Sequence, residues 1–204
     1  MNKGIIFDFD GVICDSVNVK TDAFATMYKA YGDEVVARVI SHHHEHGGIS
    51  RYEKFRYYHK EFLGVVLTDE EVMMMGDIFS SIALQKVIDS PYLPGVLNFI
   101  KKSQQNSDLF ICTGTPETEI RIILDKKGLT KYFKGIYGAP KNKADIIQEI
   151  IHTYRFSNKE LEFYGDAMTD YNAAKATNIK FTGVFSTTTS FPEGTLVIKD
   201  FINN

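Results

Sequence analysis

Two carboxylates stand side by side at the end of the first apolar run of the chain. Asp8 and Asp10 follow the run of residues 5–7 directly, and Gly11 comes next. Like charges this close repel each other, so such a pair usually requires a cation or a reaction to explain it. We therefore interpret Asp8 and Asp10 as site residues rather than as turn formers or helix caps.

Two later segments carry further groups that suit phosphoryl chemistry. Thr113 and Gly114 form a turn after another apolar run, and a hydroxyl with free backbone N–H groups at such a turn can hold phosphate oxygens. Asp166 and Asp170 are four residues apart after a third apolar run. We predict that Asp166 lies at a strand end and Asp170 at the following turn, so that both face one cation.

The donor set favours magnesium over zinc. Mg²⁺ takes hard oxygen ligands and keeps several waters, whereas Zn²⁺ prefers His and Cys, which are scarce in these segments. A lysine just before the helix predicted at 144–154, either Lys141 or Lys143, is placed to reach the same crevice. Its charge would offset the surplus of carboxylates.

The elements that must position these groups alternate between strand and helix from about residue 92. Apolar runs without alternation are typical of strands that are buried on both faces of a parallel sheet. Such runs predict strands at residues 5–7, 109–112, 136–137, 161–164, 181–184 and 196–198. The order indicates an α/β protein with a Rossmann-like parallel sheet, in which ligands bind at the carboxyl ends of the strands.

An all-helical segment interrupts this pattern directly after the first strand. Its apolar side chains repeat at helical spacing, most clearly at Phe24, Met27, Tyr28 and Tyr31. A segment inserted at this point would lie over the crevice at the strand ends. We predict a core of residues 1–15 and 92–204 with a helical cap of residues 16–91.

Composition excludes several classes of protein. The 204 residues carry a net charge of −3, which argues against a dedicated nucleic-acid binder. Cys14 and Cys112 have no framework spacing, which favours buried reduced thiols. No secretory signal and no apolar stretch of the roughly 18 residues that a membrane span needs is present. We expect a soluble, cytoplasmic protein with no membrane contact, no nucleic-acid partner and no obligate protein partner.

Taken together, the motifs resemble those of the haloacid dehalogenase-like hydrolases. The four motifs of that family correspond here to Asp8-Phe9-Asp10-Gly11-Val12, Thr113, Lys143, and Gly165-Asp166 with Asp170. The helical insertion is similar to the family's C1 cap. The resemblance covers essentially the whole chain and points to the branch of phosphoglycolate phosphatases and β-phosphoglucomutases.

This resemblance implies a role for each residue. Asp8 would be the nucleophile that forms an aspartyl-phosphate, and Asp10 the general acid and then base. Mg²⁺ would be held by the Asp8 carboxylate, the Asp10 backbone carbonyl, Asp166 and Asp170. Charge on the phosphoryl oxygens would be stabilised by Thr113, the Gly114 amide and Lys143.

The choice between the two lysines rests on the start of the following helix. The Lys-Pro-x-Pro form that is common in relatives is absent here. Matching residues 144–146 to the helix start favours Lys143 and leaves Lys141 as the alternative.

Two features of the insertion stay open at this point. Arg51 follows a Gly47-Gly48 loop that resembles the loop which β-phosphoglucomutase-like relatives lower onto their substrates. It either binds a distal anionic group of the substrate bidentately or is a solvated arginine of a first helical turn. The histidines at positions 42, 43, 44 and 46 point in different directions on a helix, which favours a solvated or partly packed face over a metal site.

We interpret the chain as a Mg²⁺-dependent phosphatase that acts on a small phosphorylated metabolite. By resemblance, the substrate is a sugar phosphate or a small phosphorylated acid. A phosphomutase of the β-phosphoglucomutase type is the nearest alternative. A non-catalytic phosphate-binding or receiver-like module is the alternative from another class, but it would not need Asp10 as an acid or a cap of this size.

Overall fold

A six-stranded sheet forms the centre of the molecule, and the computed structural model describes residues 3–202. Its strands are β1 (Lys3–Phe7), β2 (Ser107–Pro116), β3 (Gly135–Ala139), β4 (Leu161–Gly165), β5 (Lys180–Val184) and β6 (Val197–Ile198). The order is β3-β2-β1-β4-β5-β6, and all neighbouring strands are parallel. The predicted α/β fold with a parallel sheet is confirmed.

Eight α-helices accompany the sheet in the described part of the chain. They are α1 (Val17–Tyr28), α2 (Asp33–Glu45), α3 (Arg51–Leu63), α4 (Asp69–Asp89), α5 (Val96–Ser103), α6 (Glu117–Lys126), α7 (Lys143–Tyr154) and α8 (Met168–Ala176). Of the helices within residues 3–202, none is long and apolar enough to cross a membrane.

The central strand β1 is apolar because both of its faces are covered. Ile6 and Phe7 are fully buried and point to opposite faces of the sheet. Ile6 belongs to a cluster with side chains of α7 and α8, including Ile146, Ile150 and Ala174. Phe7 belongs to the cluster on the other face, which includes Val96, Ile100 and Ile123. Packing on both sides fixes the strand that carries Asp8 at its carboxyl end.

Helices α1 to α4 lie between β1 and α5 in the chain and bury an aromatic core of their own. Its largest buried members are Phe24, Tyr28, Phe55, Tyr58 and Phe79. Thr68 and Glu71 form a reciprocal capping box that starts α4. The insertion is thus a packed helical layer and not an extended loop.

Strand β2 is longer than the sequence pattern indicates. It ends at Pro116 rather than at residue 112, so Thr113 and Gly114 belong to the strand and not to a turn after it. The pairing of β2 with β3 shifts register between Cys112 and Pro116. This irregularity bends the strand end, which is where the sequence shows its Thr-Gly-Thr-Pro turn signals.

Candidate active site

Three buried carboxylates meet at the carboxyl ends of β1 and β4. Asp8, Asp166 and Asp170 each offer an oxygen, and these oxygens lie within 4.8 Å of one another. The two strands are neighbours in the sheet, and the Asp8 N–H donates to the carbonyl of Tyr164 at 2.9 Å. Asp170 lies in the first turn of α8 and not in the turn before it, so the helix brings its carboxylate back to the strand end.

Gly165 allows this close approach. A Cβ at this position would lie 2.3 Å from the Cβ of Asp170, a separation that real atoms do not reach. Only a residue without a side chain lets α8 return so close to β4. The glycine of the predicted Gly-Asp motif therefore has a packing reason as well as a place in the pattern.

Lys143 is the lysine that reaches the carboxylates. Its Nζ donates to Asp8 Oδ2 at 2.9 Å and to Asp170 Oδ1 at 2.5 Å, and its side chain is buried. Burial lowers its pKa, but attraction to Asp170 and Asp8 outweighs that effect, so the pKa of Lys143 lies above its usual value. Lys141, by contrast, is exposed and pairs with Glu149 at 2.5 Å. The structure places Lys141 away from the carboxylate cluster.

The cluster carries more negative charge than Lys143 balances. Burial, followed by repulsion from Asp8 and Asp170, raises the pKa of Asp166 well above its ordinary value. Burial and repulsion from Asp8 also raise the pKa of Asp170, to about 7, although Lys143 opposes them. Within residues 3–202, nothing donates a hydrogen bond to the Asp166 carboxylate. The carboxylate oxygens outnumber the hydrogen bonds that Lys143 can donate, and within the described range the Asp166 carboxylate receives none. Such a set of oxygen donors fits a hard divalent cation such as Mg²⁺.

The Asp10 carboxylate faces a different set of partners. It accepts from Ser16 Oγ at 2.6 Å and from Thr115 Oγ1 at 3.1 Å, and it forms an ion pair with Lys20. Burial raises the pKa of Asp10, but the attraction and hydrogen bond of Lys20, with those of Ser16 and Thr115, outweigh it and lower the pKa below its ordinary value. The carboxylate of Asp10 thus faces Ser16, Thr115 and Lys20, and the metal ligand that the resemblance implies at its backbone carbonyl stays a prediction.

Lys20 is a site residue that the sequence reasoning missed. Besides pairing with Asp10, its Nζ donates to Thr115 Oγ1 at 2.6 Å. Its position in the chain indicates a place near the site, because α1 begins at Val17, directly after the loop that contains Asp10. The first turn of that helix must therefore lie near the strand ends.

The strand-end groups of β2 lie under the loop between α2 and α3. Thr113 is buried, and its Oγ1 accepts from the N–H of Thr115 at 3.2 Å. A Cβ on Gly114 would lie 2.4 Å from the carbonyl oxygen of Gly48. On the other side of the loop, Thr169 Oγ1 donates to the Gly47 carbonyl at 2.7 Å. The insertion thus rests directly on the strand ends.

Arg51 is neither solvated nor free to bind a ligand in this structure. Its Nη2 lies 2.5 Å from Glu119 Oε1, its Nη1 lies 2.9 Å from Glu119 Oε2, and Nη1 also donates to Ser80 Oγ at 2.8 Å. Both members of this bidentate pair are buried. The predicted contact with a distal anionic group is replaced by an ion pair between α3 and α6.

A cavity of about 70 Å³ connects these groups. The sheet contributes Asp8, Asp10, Thr113 and Asp166 to its lining. The insertion contributes Lys20, His43, Arg51 and Lys54. Residues far apart along the chain therefore line one cavity, to which the strand ends contribute carboxylates and the insertion contributes cations.

Residues 5–184 match the family described as "Haloacid dehalogenase-like hydrolase", and the chain belongs to that family. This confirms the resemblance drawn from the motifs and the prediction of an enzyme. Phosphoglycolate phosphatase 1 of Pseudomonas aeruginosa is 25% identical in an alignment that covers 86% of this chain. The chain spans 66% of the length of that curated relative.

Solved structures show the same fold. A β-phosphoglucomutase from Clostridium difficile has a TM-score of 0.81 at 20% identity, over 99% of this chain and 92% of that one. A predicted phosphoglycolate phosphatase from Haemophilus somnus has a TM-score of 0.74 at 18% identity, over 98% and 95% of the two chains. These likenesses concern the fold.

Proposed function

We propose that the protein is a Mg²⁺-dependent phosphatase that hydrolyses a small phosphorylated metabolite through an aspartyl-phosphate. The observation that carries this proposal is the buried cluster of Asp8, Asp166, Asp170 and Lys143, of which Asp8 and Asp166 line one cavity together with Asp10. Family membership and the name of the P. aeruginosa relative support it.

The metal would be held by Asp8, Asp166 and Asp170 together with the Asp10 backbone carbonyl. When bound, Mg²⁺ would neutralise charge on the phosphoryl oxygens and allow the carboxylates to approach them. Lys143 would hold Asp8 in place, and the hydroxyl of Thr113 with the Gly114 N–H would donate to the phosphoryl group.

The reaction takes two displacements at phosphorus. A carboxylate oxygen of Asp8 forms a bond to phosphorus while the bond to the leaving oxygen breaks, and Asp10 gives that oxygen a proton. Water then attacks the phosphorus of the aspartyl-phosphate while Asp10 takes a proton from it. Phosphate leaves, and Asp8 is restored as a carboxylate.

Lys20 affects both proton-transfer roles of Asp10, as base toward water and as acid toward the leaving oxygen. It keeps Asp10 ionised in the free enzyme, which is the form that accepts a proton from water. The first displacement instead needs a proton on Asp10. A phosphoryl group that enters the cavity adds negative charge beside Lys20 and Asp10, which raises the pKa of Asp10 and favours its protonated form.

We also propose that residues 16–91 act as a cap over a core of residues 1–15 and 92–204. Support comes from the separate aromatic core of α1 to α4 and from the contact of Gly48 with Gly114. A cap closed in this way keeps bulk water from the aspartyl-phosphate until the leaving group has departed.

A phosphomutase is the second candidate, because the β-phosphoglucomutase from C. difficile has this fold over 99% of the chain. Such an enzyme would return the phosphoryl group to another hydroxyl of a sugar phosphate. Release of one phosphate per substrate consumed indicates the phosphatase, and an isomerised product without phosphate indicates the mutase.

The enzyme as a whole is tested with p-nitrophenyl phosphate. We expect phosphate release in Mg²⁺, loss of release in EDTA, and recovery when excess Mg²⁺ is added. No release under any of these conditions would favour a phosphate-binding or receiver-like module instead.

A further inference from the structure

Lys54, in the first turns of α3, is a buried cation on the wall of the cavity. Its side chain is 2% exposed, and its Nζ donates to His43 Nδ1 at 2.7 Å and to the His43 carbonyl at 3.5 Å. Within the described chain, no carboxylate lies at ion-pair distance from it. Its ring neighbour is Phe24, whose centroid is 5.7 Å from Nζ.

The other three cations of the cavity region are all matched by carboxylates. Lys20 pairs with Asp10, Arg51 with Glu119, and Lys143 with Asp8 and Asp170. Burial of a charge without such a partner is unfavourable. Burial, and then repulsion from Lys20 and Lys143, lowers the pKa of Lys54 to about 7. An anion in the cavity would restore its charge.

His43 orients Lys54 but does not neutralise it. The His43 ring accepts from Lys54 through Nδ1, which leaves its hydrogen on Nε2. Burial and the charge of Lys54 hold the pKa of His43 far below its usual range, so the ring stays neutral. Packing against Phe24, at 4.9 Å between ring centroids, fixes its position.

We propose that Lys54 is the specificity residue of the cavity and binds a carboxylate at the far end of a short phosphomonoester whose phosphoryl group meets Asp8. This inference rests on the proposed phosphatase function. It selects the small phosphorylated acid over the sugar phosphate, because a sugar offers hydroxyls and no anion to an unpartnered ammonium.

The size of the cavity supports a short substrate. A water molecule needs roughly 10–15 Å³ of such space, so a cavity of about 70 Å³ holds only a few waters. A two- or three-carbon acid fits that room better than a hexose. Arg51, the other cation that could bind a distal anion, is occupied by Glu119.

The test compares 2-phosphoglycolate with ethyl phosphate, two phosphomonoesters of equal chain length that differ in the carboxylate. We expect wild type to prefer 2-phosphoglycolate. Lys54→Met, which keeps the length and removes the charge, should lower the ratio of the two kcat/KM values about tenfold or more, as for loss of a charge-assisted hydrogen bond. Lys60→Met, on the exposed side of the same helix, should leave the ratio unchanged.

Several outcomes would overturn the inference. The inference is wrong if wild type prefers ethyl phosphate. It is also wrong if Lys54→Met lowers kcat/KM equally for both substrates, because Lys54 then contributes only to packing. If Lys54→Met does not fold, as judged by its thermal unfolding, Lys54→Gln repeats the comparison with a neutral polar side chain.

Failure of the proposed function would look different. It would appear as absent phosphate release from p-nitrophenyl phosphate in Mg²⁺. Calorimetry then decides on Lys54 independently, by the binding of 2-phosphoglycolate to the unaltered chain and to Lys54→Met. Weaker binding to the variant supports the inference, and equal binding or none to either contradicts it.

Discussion

Lys20 and Asp10 show how one ion pair sets the proton chemistry of the cavity. The carboxylate is buried, yet its pKa lies below the ordinary value because Lys20, Ser16 and Thr115 favour its charged form. Without the ammonium, burial would dominate and favour the protonated form. The side chain of Lys20 therefore extends to lower pH the range over which the Asp10 carboxylate is ionised.

Replacement of Lys20 by Met should raise the pKa of Asp10. The limb of the pH profile of kcat/KM that reports Asp10 should move to higher pH, measured with p-nitrophenyl phosphate in Mg²⁺. Lys29→Met, exposed at the end of α1, should leave the profile in place. If this limb stays in place in Lys20→Met, or moves to lower pH, Lys20 does not lower the pKa of Asp10.

Single residues also show what the sequence can and cannot reveal. Asp8, Asp166 and Lys143 follow recognisable strand ends and helix starts, so their meeting was predictable from topology. The partner of Arg51 was not predictable. Glu119 lies 68 residues away in the first turn of α6, and no periodic pattern connects the two positions.

The pair of Arg51 and Glu119 joins two elements, α3 of the insertion and α6 of the core. Removal of one partner leaves a buried charge uncompensated, which costs about 3–5 kcal/mol. Arg51→Met and Glu119→Met should each lower the free energy of unfolding by an amount of this order. The double variant should recover much of the loss, because neither charge is then left behind.

Denaturant unfolding of the four proteins measures this coupling. Strictly additive losses in the double variant would mean that the two side chains do not interact. The surface pair of Arg121 and Glu117, also on α6, is the matched control. Its removal should change the free energy of unfolding by less than about 1 kcal/mol.

The ends of the strands were predicted within two residues, with one exception. Apolar runs define β1, β3, β4 and β5 because a strand that is largely buried on both faces has no alternation to obscure its limits. The short edge strand β6 is also an apolar run, although Val197 is exposed. The exception is β2, which continues to Pro116. Its last residues carry turn signals, and only pairing with β3 across a register shift keeps them in the strand.

At the scale of the whole molecule, the cavity forms because the chain leaves the sheet after β1, builds helices α1 to α4, and returns to the sheet at β2. The order of motifs predicted the fold, but the fit of the insertion onto the strand ends could not be predicted. That fit depends on contacts between Gly48 and Gly114 and between Gly47 and Thr169, which are distant along the chain. Close backbone approach of this kind leaves only glycines in the sequence as its trace.

Magnesium should stabilise the whole molecule. The three buried carboxylates repel each other, and the single ammonium of Lys143 does not balance them. A cation that binds only the folded protein therefore stabilises the folded state. Thermal unfolding in excess Mg²⁺ should occur at a higher temperature than in EDTA, and the difference should shrink in Asp166→Asn. Equal unfolding temperatures in Mg²⁺ and EDTA would argue against a site at these carboxylates.

The central claim is that Asp8 carries the phosphoryl group between substrate and water, and acid quenching tests it most directly. Enzyme mixed with substrate and Mg²⁺, quenched in acid during turnover and digested, should give a phosphorylated peptide that contains Asp8. Asp8→Asn should give none and should lose turnover by about a thousandfold or more, whereas Asp125→Asn, exposed on α6, should behave as wild type. A phosphoryl group on another residue, or turnover that survives in Asp8→Asn, would contradict the account.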